Sequence, residues 1–441
     1  MKLKSIYVCT ACSAQHPKWG GQCSRCGAWN TLAEDVVNVG KTETRRGGSA
    51  ALPVKPAVVV GDLRLKEKRQ VTGMGELDRV LGGGFMEDSL VLLAGDPGIG
   101  KSTLTLQICD KMAGLGKKVL YFSGEESVGQ IASRANRLKL KNEVGLINLN
   151  DLESILATIE AERPEFVVVD SVQVMASDEI PSQAGSISQV RYVAEQLMQI
   201  AKGKKIPILL IGHVNKEGNL AGPQVLTHLV DTVLFLEGDN FHQFRLLRST
   251  KNRFGAVDEV GVFAMESGGL KEVSNPSALF LEGRAKNPIG SCIVPILEGT
   301  RVFLVEVQAL TNYTQFGYPK RTASGFDLNR LNIIIAILNR YANMKLDSTD
   351  VYVNVVGGLK LNEPAADLAV ALAIASSKLK KPLPATMAAL GELGLSGELR
   401  QVPQMEKRLK EAEKMGFKKT ASATKFRSVQ ETISLIYPQS N

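Results

Sequence analysis

The chain has 441 residues, 44% hydrophobic and 22% charged, with a formal charge of +8. That length exceeds one compact core and predicts two or three domains, while no apolar run approaches the roughly 18 residues of a membrane span. Twelve Lys/Arg against five Asp/Glu fall in residues 1–70, so nearly all the net charge is local, on a segment suited to a polyanion or to plain solvation.

No apolar stretch of signal-peptide length precedes the first cysteines, so a cytoplasmic location is expected. Cys9-Thr-Ala-Cys12 and Cys23-Ser-Arg-Cys26 form a CxxC…CxxC array. Each knuckle offers two thiolates, and four thiolates complete a tetrahedral Zn²⁺ with no open position, so the ion expected is structural. Two disulfides are the alternative, which a reducing cytosol opposes. His16 lies between the knuckles and is a competing ligand in principle, but with four cysteines available a surface position is expected. Trp19 and Trp29, the only tryptophans in the chain, serve here either as packing for a very small core, the commoner use, or as platforms on which bases stack. The zinc module is assigned to residues 1–30. Small and polar residues with Gly and Pro then predict a flexible linker over 31–57.

Residues 58–270 alternate short apolar runs with amphipathic helices. LVLLAG, KKVLYFSG, FVVVD, IPILLIGH and DTVLFLEG read as buried parallel strands of a doubly wound α/β sheet. The stretch Gly95-Asp96-Pro97-Gly98-Ile99-Gly100-Lys101-Ser102 matches GxxxxGK[ST] between a strand and a helix that begins at Thr103. This is the setting of an ATP-binding P-loop: backbone amides cradle the phosphates, Lys101 reaches the β/γ-phosphates and Ser102 holds Mg²⁺. Asp170, closing FVVVD, is placed to support the Mg²⁺ shell. Glu125, after the next strand, is the candidate to orient the attacking water, with Glu126 as its alternative and a plain helix start as the other reading of the pair.

A third region, residues 271–441, forms a second mixed α/β unit. Cys109 and Cys292 have no partners at metal spacing and read as buried small apolar residues.

With VTGMGELDRVLGGGF, YFSGEES, VVVDS and Lys251-Asn252-Arg253-Phe254-Gly255, the chain resembles the RecA-like ring ATPases over its whole length, and among them the bacterial RadA (Sms) family of DNA-repair proteins. The resemblance implies an α/β chain with a RecA-like P-loop ATPase core, a small zinc ribbon-like module at its N-terminus and a C-terminal Lon-like domain. It further implies a homo-oligomeric, hexameric ring that translocates on single-stranded DNA and drives branch migration of recombination intermediates, with a RecA-type recombinase as partner. Segments near 174–189 and 214–226 would face the DNA, and His213 would sense the γ-phosphate, a buried strand-end histidine being the competing reading. Lys251 and Arg253 would reach the nucleotide of the neighbouring subunit; exposed strand-end charges or direct DNA contacts are the alternatives. A regulatory ATPase acting on protein partners is the other reading of the same core.

The Lon-like resemblance places the protease serine at Ala365, within Glu363-Pro364-Ala365-Ala366-Asp367, and the lysine at Lys407 or Arg408. Alanine has no nucleophile, so no proteolysis is expected. Nine Lys/Arg against four Asp/Glu between Glu398 and Arg427 suit either a second DNA face or a solvated helix.

Overall fold

The structure is a computed structural model that describes residues 3–10, 14–38, 68–212, 225–238, 244–314 and 317–438. His213 and the adjoining segment to residue 224, assigned above to sensing and DNA contact, lie outside them, as does Cys12. The chain divides into two compact units, Met1–Glu237 with Arg245–Glu272, and Gly238–Phe244 with Val273–Asn441.

The first unit opens with a three-stranded antiparallel sheet of β1 (Leu3–Cys9), β2 (Gln15–His16) and β3 (Leu32–Asn38), in the order β2-β1-β3. β3 occupies the start of the stretch read above as linker. It pairs with β1 along its whole length, from Cys9 opposite Leu32 to Leu3 opposite Asn38. The run contains no Gly or Pro and carries Val36 and Val37, whose β-branched side chains favour extended backbone. Its partner lies more than twenty residues upstream, beyond what local composition reveals.

The ATPase part follows in chain order: β4 (Arg69–Gln70), α1 (Gly75–Leu81), β5 (Phe85–Met86), β6 (Leu90–Gly95), α2 (Lys101–Gly114), β7 (Val119–Ser123), α3 (Val128–Arg137) and β8 (Gly145–Asn148). Next come α4 (Leu152–Glu162), β9 (Phe166–Asp170), α5 (Ile187–Lys204), β10 (Ile208–Ile211), α6 (Val225–Leu229) and β11 (Thr232–Glu237). The antiparallel strands β12 (Phe244–Asn252), β13 (Val260–Glu266) and β14 (Gly269–Glu272) complete it. One nine-stranded sheet results, ordered β14-β13-β12-β11-β6-β10-β9-β7-β8. The five apolar runs read from sequence are its central strands, all joined in parallel. Both their faces are covered, which is why they read as unbroken apolar segments. Alternate residues serve opposite cores: Val91, Leu93, Tyr121 and Val168 pack with α1 to α3, while Leu90, Leu92, Leu120 and Val169 pack with α4 to α6. The short β8 and the β12–β14 meander extend this sheet at its two edges.

The second unit contains α7 (Pro276–Phe280), β15 (Ser291–Glu298), β16 (Arg301–Tyr313), β17 (Arg321–Ser324), α8 (Leu328–Ala342), β18 (Thr349–Val355), α9 (Asp367–Leu379) and β19 (Met387–Leu390). It ends with β20 (Glu392–Leu393), β21 (Leu399–Arg400), α10 (Met405–Lys414), β22 (Lys419–Ser422) and α11 (Val429–Ile436). Its main sheet is ordered β17-β18-β16-β15-β19-β22, and α9, buried from Asp367 to Ser377, packs against it. Among the described residues no helix is long and apolar enough to cross a membrane.

Candidate functional site

The P-loop joins the carboxyl end of β6 to α2, near the middle of the sheet, where ligands of open α/β folds bind. Two glycines are required by geometry. A Cβ on Gly95 would stand 2.5 Å from the carbonyl oxygen of Leu236, and Gly100, at φ 115°, caps α2 from the left-handed region. Helices α3, α4, α5, α8 and α11 have side-chain N-caps, whereas α2 has none and no acidic residue in its first turn. Its leading amides therefore remain available to an anion. Asp96, Pro97 and Gly98 are exposed, Ile99 is buried, and Ser102 and Thr103 are half-buried on the first turn of α2.

Lys101 is buried and folds back over the loop, donating to the carbonyls of Gly95 at 2.8 Å and Asp96 at 3.0 Å. Burial pushes its pKa below the ordinary lysine value, opposed by the negative charges of Asp170, Asp96 and Glu125. Those carboxylates come from three separate segments and converge on one ammonium. The register of β7 and β9 sets Ser123 opposite Asp170, so the segment that follows β7 emerges beside the end of β9. Ser171, reached through a cis peptide from Asp170, donates its hydroxyl to Glu125. Glu126 is turned elsewhere, paired with Arg134 at 2.5 Å. The two adjacent glutamates therefore face different partners, Glu125 the hydroxyl beside Asp170 and Glu126 the guanidinium of α3.

Two contributors were not foreseen. Tyr121, fully buried in β7, donates its phenolic hydrogen to Asp170. Burial first, then the Asp170 charge and hydrogen bond, push that phenol well above its ordinary pKa, so it remains a donor. Arg245, buried at the start of β12, donates from Nε to the Ile99 carbonyl at 3.1 Å and braces the P-loop from behind. A tyrosine inside a strand and an arginine some 140 residues downstream carry no local signal of these contacts.

Lys251 and Arg253 are not brought to this site. Lys251 pairs with Val233, which lies beside Leu92, whereas the P-loop begins beside Leu236. The offset is three strand residues, about 10 Å at 3.3 Å per residue, and directed away from the phosphates. Lys251 Nζ instead donates to the carbonyls of Thr227, His228 and Val230 at the end of α6. Arg253 is half-exposed and pairs with the buried Asp231 at 3.1 Å.

In the N-terminal module the sulfurs of Cys9, Cys23 and Cys26 all lie within 4.8 Å of one another. Thiolates 2.3 Å from a tetrahedral zinc stand about 3.8 Å apart, so the trio fits that ion. His16 is nearer than expected: its Nε2 lies 3.4 Å from Cys23 Sγ. Of the two uses open to the tryptophans, core packing, the commoner, is not the one observed: Trp19 and Trp29 are 63% and 69% exposed.

In the second unit Ala365 is buried in a short 3₁₀ turn. Of the two lysine-position candidates, Lys407 is exposed, while Arg408 is buried and clamps Glu363 with bonds of 2.7 and 2.6 Å. Arg408 also donates to the carbonyls of Pro295 and Pro403 at 3.0 Å, so it acts as an internal tie. Cys109 and Cys292 are buried, and burial pushes the Cys292 thiol up to about 12.

Comparison with known protein families matches three stretches of the chain. Residues 7–34 match the rubredoxin metal binding domain, residues 71–219 an AAA domain, and residues 318–424 the subunit ChlI of Mg-chelatase. Among solved structures, the ATPase domain of G40P aligns with 46% of this chain and 90% of its own, at 16% identity and a TM-score of 0.41. The DNA repair protein RadA of Bacillus subtilis is 47% identical over 95% of this chain and 92% of its own length. The protein of the same name from Pseudomonas aeruginosa is 47% identical with the same coverage. Zinc and nucleotide are ligands of this chain, and it is an ATP hydrolase. It belongs to the family of the DNA repair protein RadA.

Proposed function

We propose that this chain is a DNA-dependent ATPase of DNA repair and homologous recombination that moves on single-stranded DNA and drives branch migration of recombination intermediates. The observation that carries this reading is the division of the ATP site. Lys101, Asp170 and Glu125 converge at one end of the sheet, while Lys251 and Arg253 lie at the level of the strands' opposite half. A chain built this way needs a neighbour to complete its site, which suits a homo-oligomeric ring, taken here as a hexamer. Lys101 and the P-loop amides hold the phosphates, Ser102 and Asp170 hold Mg²⁺, Glu125 orients water, and Arg253 with Lys251 stabilises charge on the neighbour's γ-phosphate. A cytoplasmic location and a RecA-type recombinase as partner accompany this role.

ATP turnover measured with and without single-stranded DNA, alongside extension of a synthetic three-strand junction, tests the proposal. Stimulated turnover with ATP-dependent junction movement is expected. Turnover indifferent to DNA would favour the regulatory ATPase acting on proteins.

A further inference from the structure

The zinc module leaves its two largest apolar side chains in water. Among the described residues its buried cluster is Cys9, Ala14 and Cys23, with Leu32 packed against them, and neither tryptophan belongs to it. A bound zinc substitutes for a hydrophobic interior in so small a fold, so the indoles are not needed for stability. Tryptophan is highly buried on average, and two such rings exposed on one short module require a use.

Their surroundings indicate which. The second knuckle is a tight hairpin: Gln22 bridges to Trp29, Asn30 N–H donates to the Gly21 carbonyl at 2.8 Å, and Cys23 N–H to the Ala28 carbonyl at 2.9 Å. Gly21 faces the Trp29 ring closely enough that an added Cβ would lie 3.6 Å from it, and Trp19 is only two residues away along the chain. Trp29 is therefore presented by backbone that the hairpin holds in place, and Trp19 lies just before the hairpin begins. Lys18 and Arg25 are exposed within the same stretch, and residues 1–33 contain no Asp or Glu.

We infer that Trp19 and Trp29 form a stacking platform for the unpaired bases of single-stranded DNA, with Lys18 and Arg25 meeting the adjacent phosphates, an inference that rests on the DNA-dependent reading above. Indole faces stack on any base, whereas in a duplex those faces are covered by neighbouring pairs, so the platform selects single strands with little regard to sequence. Presenting the rings on a metal-fixed hairpin reduces the ordering cost of binding.

Because the chain has only these two tryptophans, its tryptophan emission reports this site directly. The zinc-loaded full chain is titrated with oligo(dT) while emission is read, and in parallel with a dye-labelled oligo(dT) while anisotropy reports total binding. Quenching that saturates with the anisotropy signal is expected, and an abasic oligomer of equal length should bind without it. The double variant Trp19→Ala/Trp29→Ala should keep its zinc and bind oligo(dT) roughly tenfold or more weakly, and Trp19→Phe/Trp29→Phe should recover much of the loss. Bound oligo(dT) with unchanged emission, equal quenching by the abasic oligomer, or full affinity in the zinc-loaded alanine variant would overturn the inference and leave the rings as a protein-docking face. Absence of any anisotropy change would instead refute the DNA-dependent reading itself, and the platform with it.

Discussion

Replacing Arg253 with alanine tests whether the ATP site is shared between subunits. The arginine backbone is bonded to Asp231, which in turn bonds to Leu90, five strand residues below Gly95. That offset is about 17 Å at 3.3 Å per residue, well beyond the reach of an arginine toward its own P-loop. The cost to folding is small: the Arg253 side chain is 49% exposed, and Lys202 remains 3.8 Å from the same Asp231 carboxylate. Losing such a pair destabilises by about 1 kcal/mol or less. Turnover should nevertheless fall by ~10³ or more, as for other arginine fingers, and Lys101→Ala should be inactive as well. The two variants are then mixed in equal amounts and ATP turnover is measured. With random head-to-tail assembly, half the sites have an intact P-loop and half of those face an intact Arg253, so about a quarter of parental turnover returns. Mixed rings without recovery, or near-normal turnover by Arg253→Ala alone, would refute the shared site.

Tyr121→Phe removes the buried donor to Asp170 and should cost about 1–3 kcal/mol in stability while raising the Mg²⁺ concentration needed for half-maximal turnover; an unchanged Mg²⁺ dependence would show that the phenol does not position that carboxylate. Metal analysis should find about one zinc per chain, lost in Cys9→Ala/Cys23→Ala with the ATPase part still folded by circular dichroism. Arg408→Ala leaves Glu363 without its clamp and should destabilise the second unit by about 3–5 kcal/mol, read as loss of its thermal transition. The parent protein should hydrolyse no unfolded polypeptide in the presence of ATP, since alanine at 365 offers no hydroxyl to acylate; ATP-dependent cleavage by the pure chain would contradict that.

Sequence alone determined whatever depends on short spacing. The CxxC pairs and the GxxxxGKS turn are local devices whose chemistry is set by a few adjacent residues, and the five central strands announce themselves because burial on both faces demands continuous apolar side chains. Ala365 likewise excludes a serine nucleophile by identity. Tertiary structure decided what depends on residues distant in the chain. Glu125 and Glu126 are neighbours with identical chemistry, and only the tertiary structure shows that one meets Ser171 and the other Arg134. Tyr121 and Arg245 become parts of the nucleotide site because strand order carries them there. Leu32–Asn38 forms a strand because β1 is available to pair with it. Whether Trp19 and Trp29 are core or surface was undecidable from composition, since indoles serve both uses; among the described residues the buried cluster of that module is built on Cys9, Ala14 and Cys23, and both indoles lie outside it.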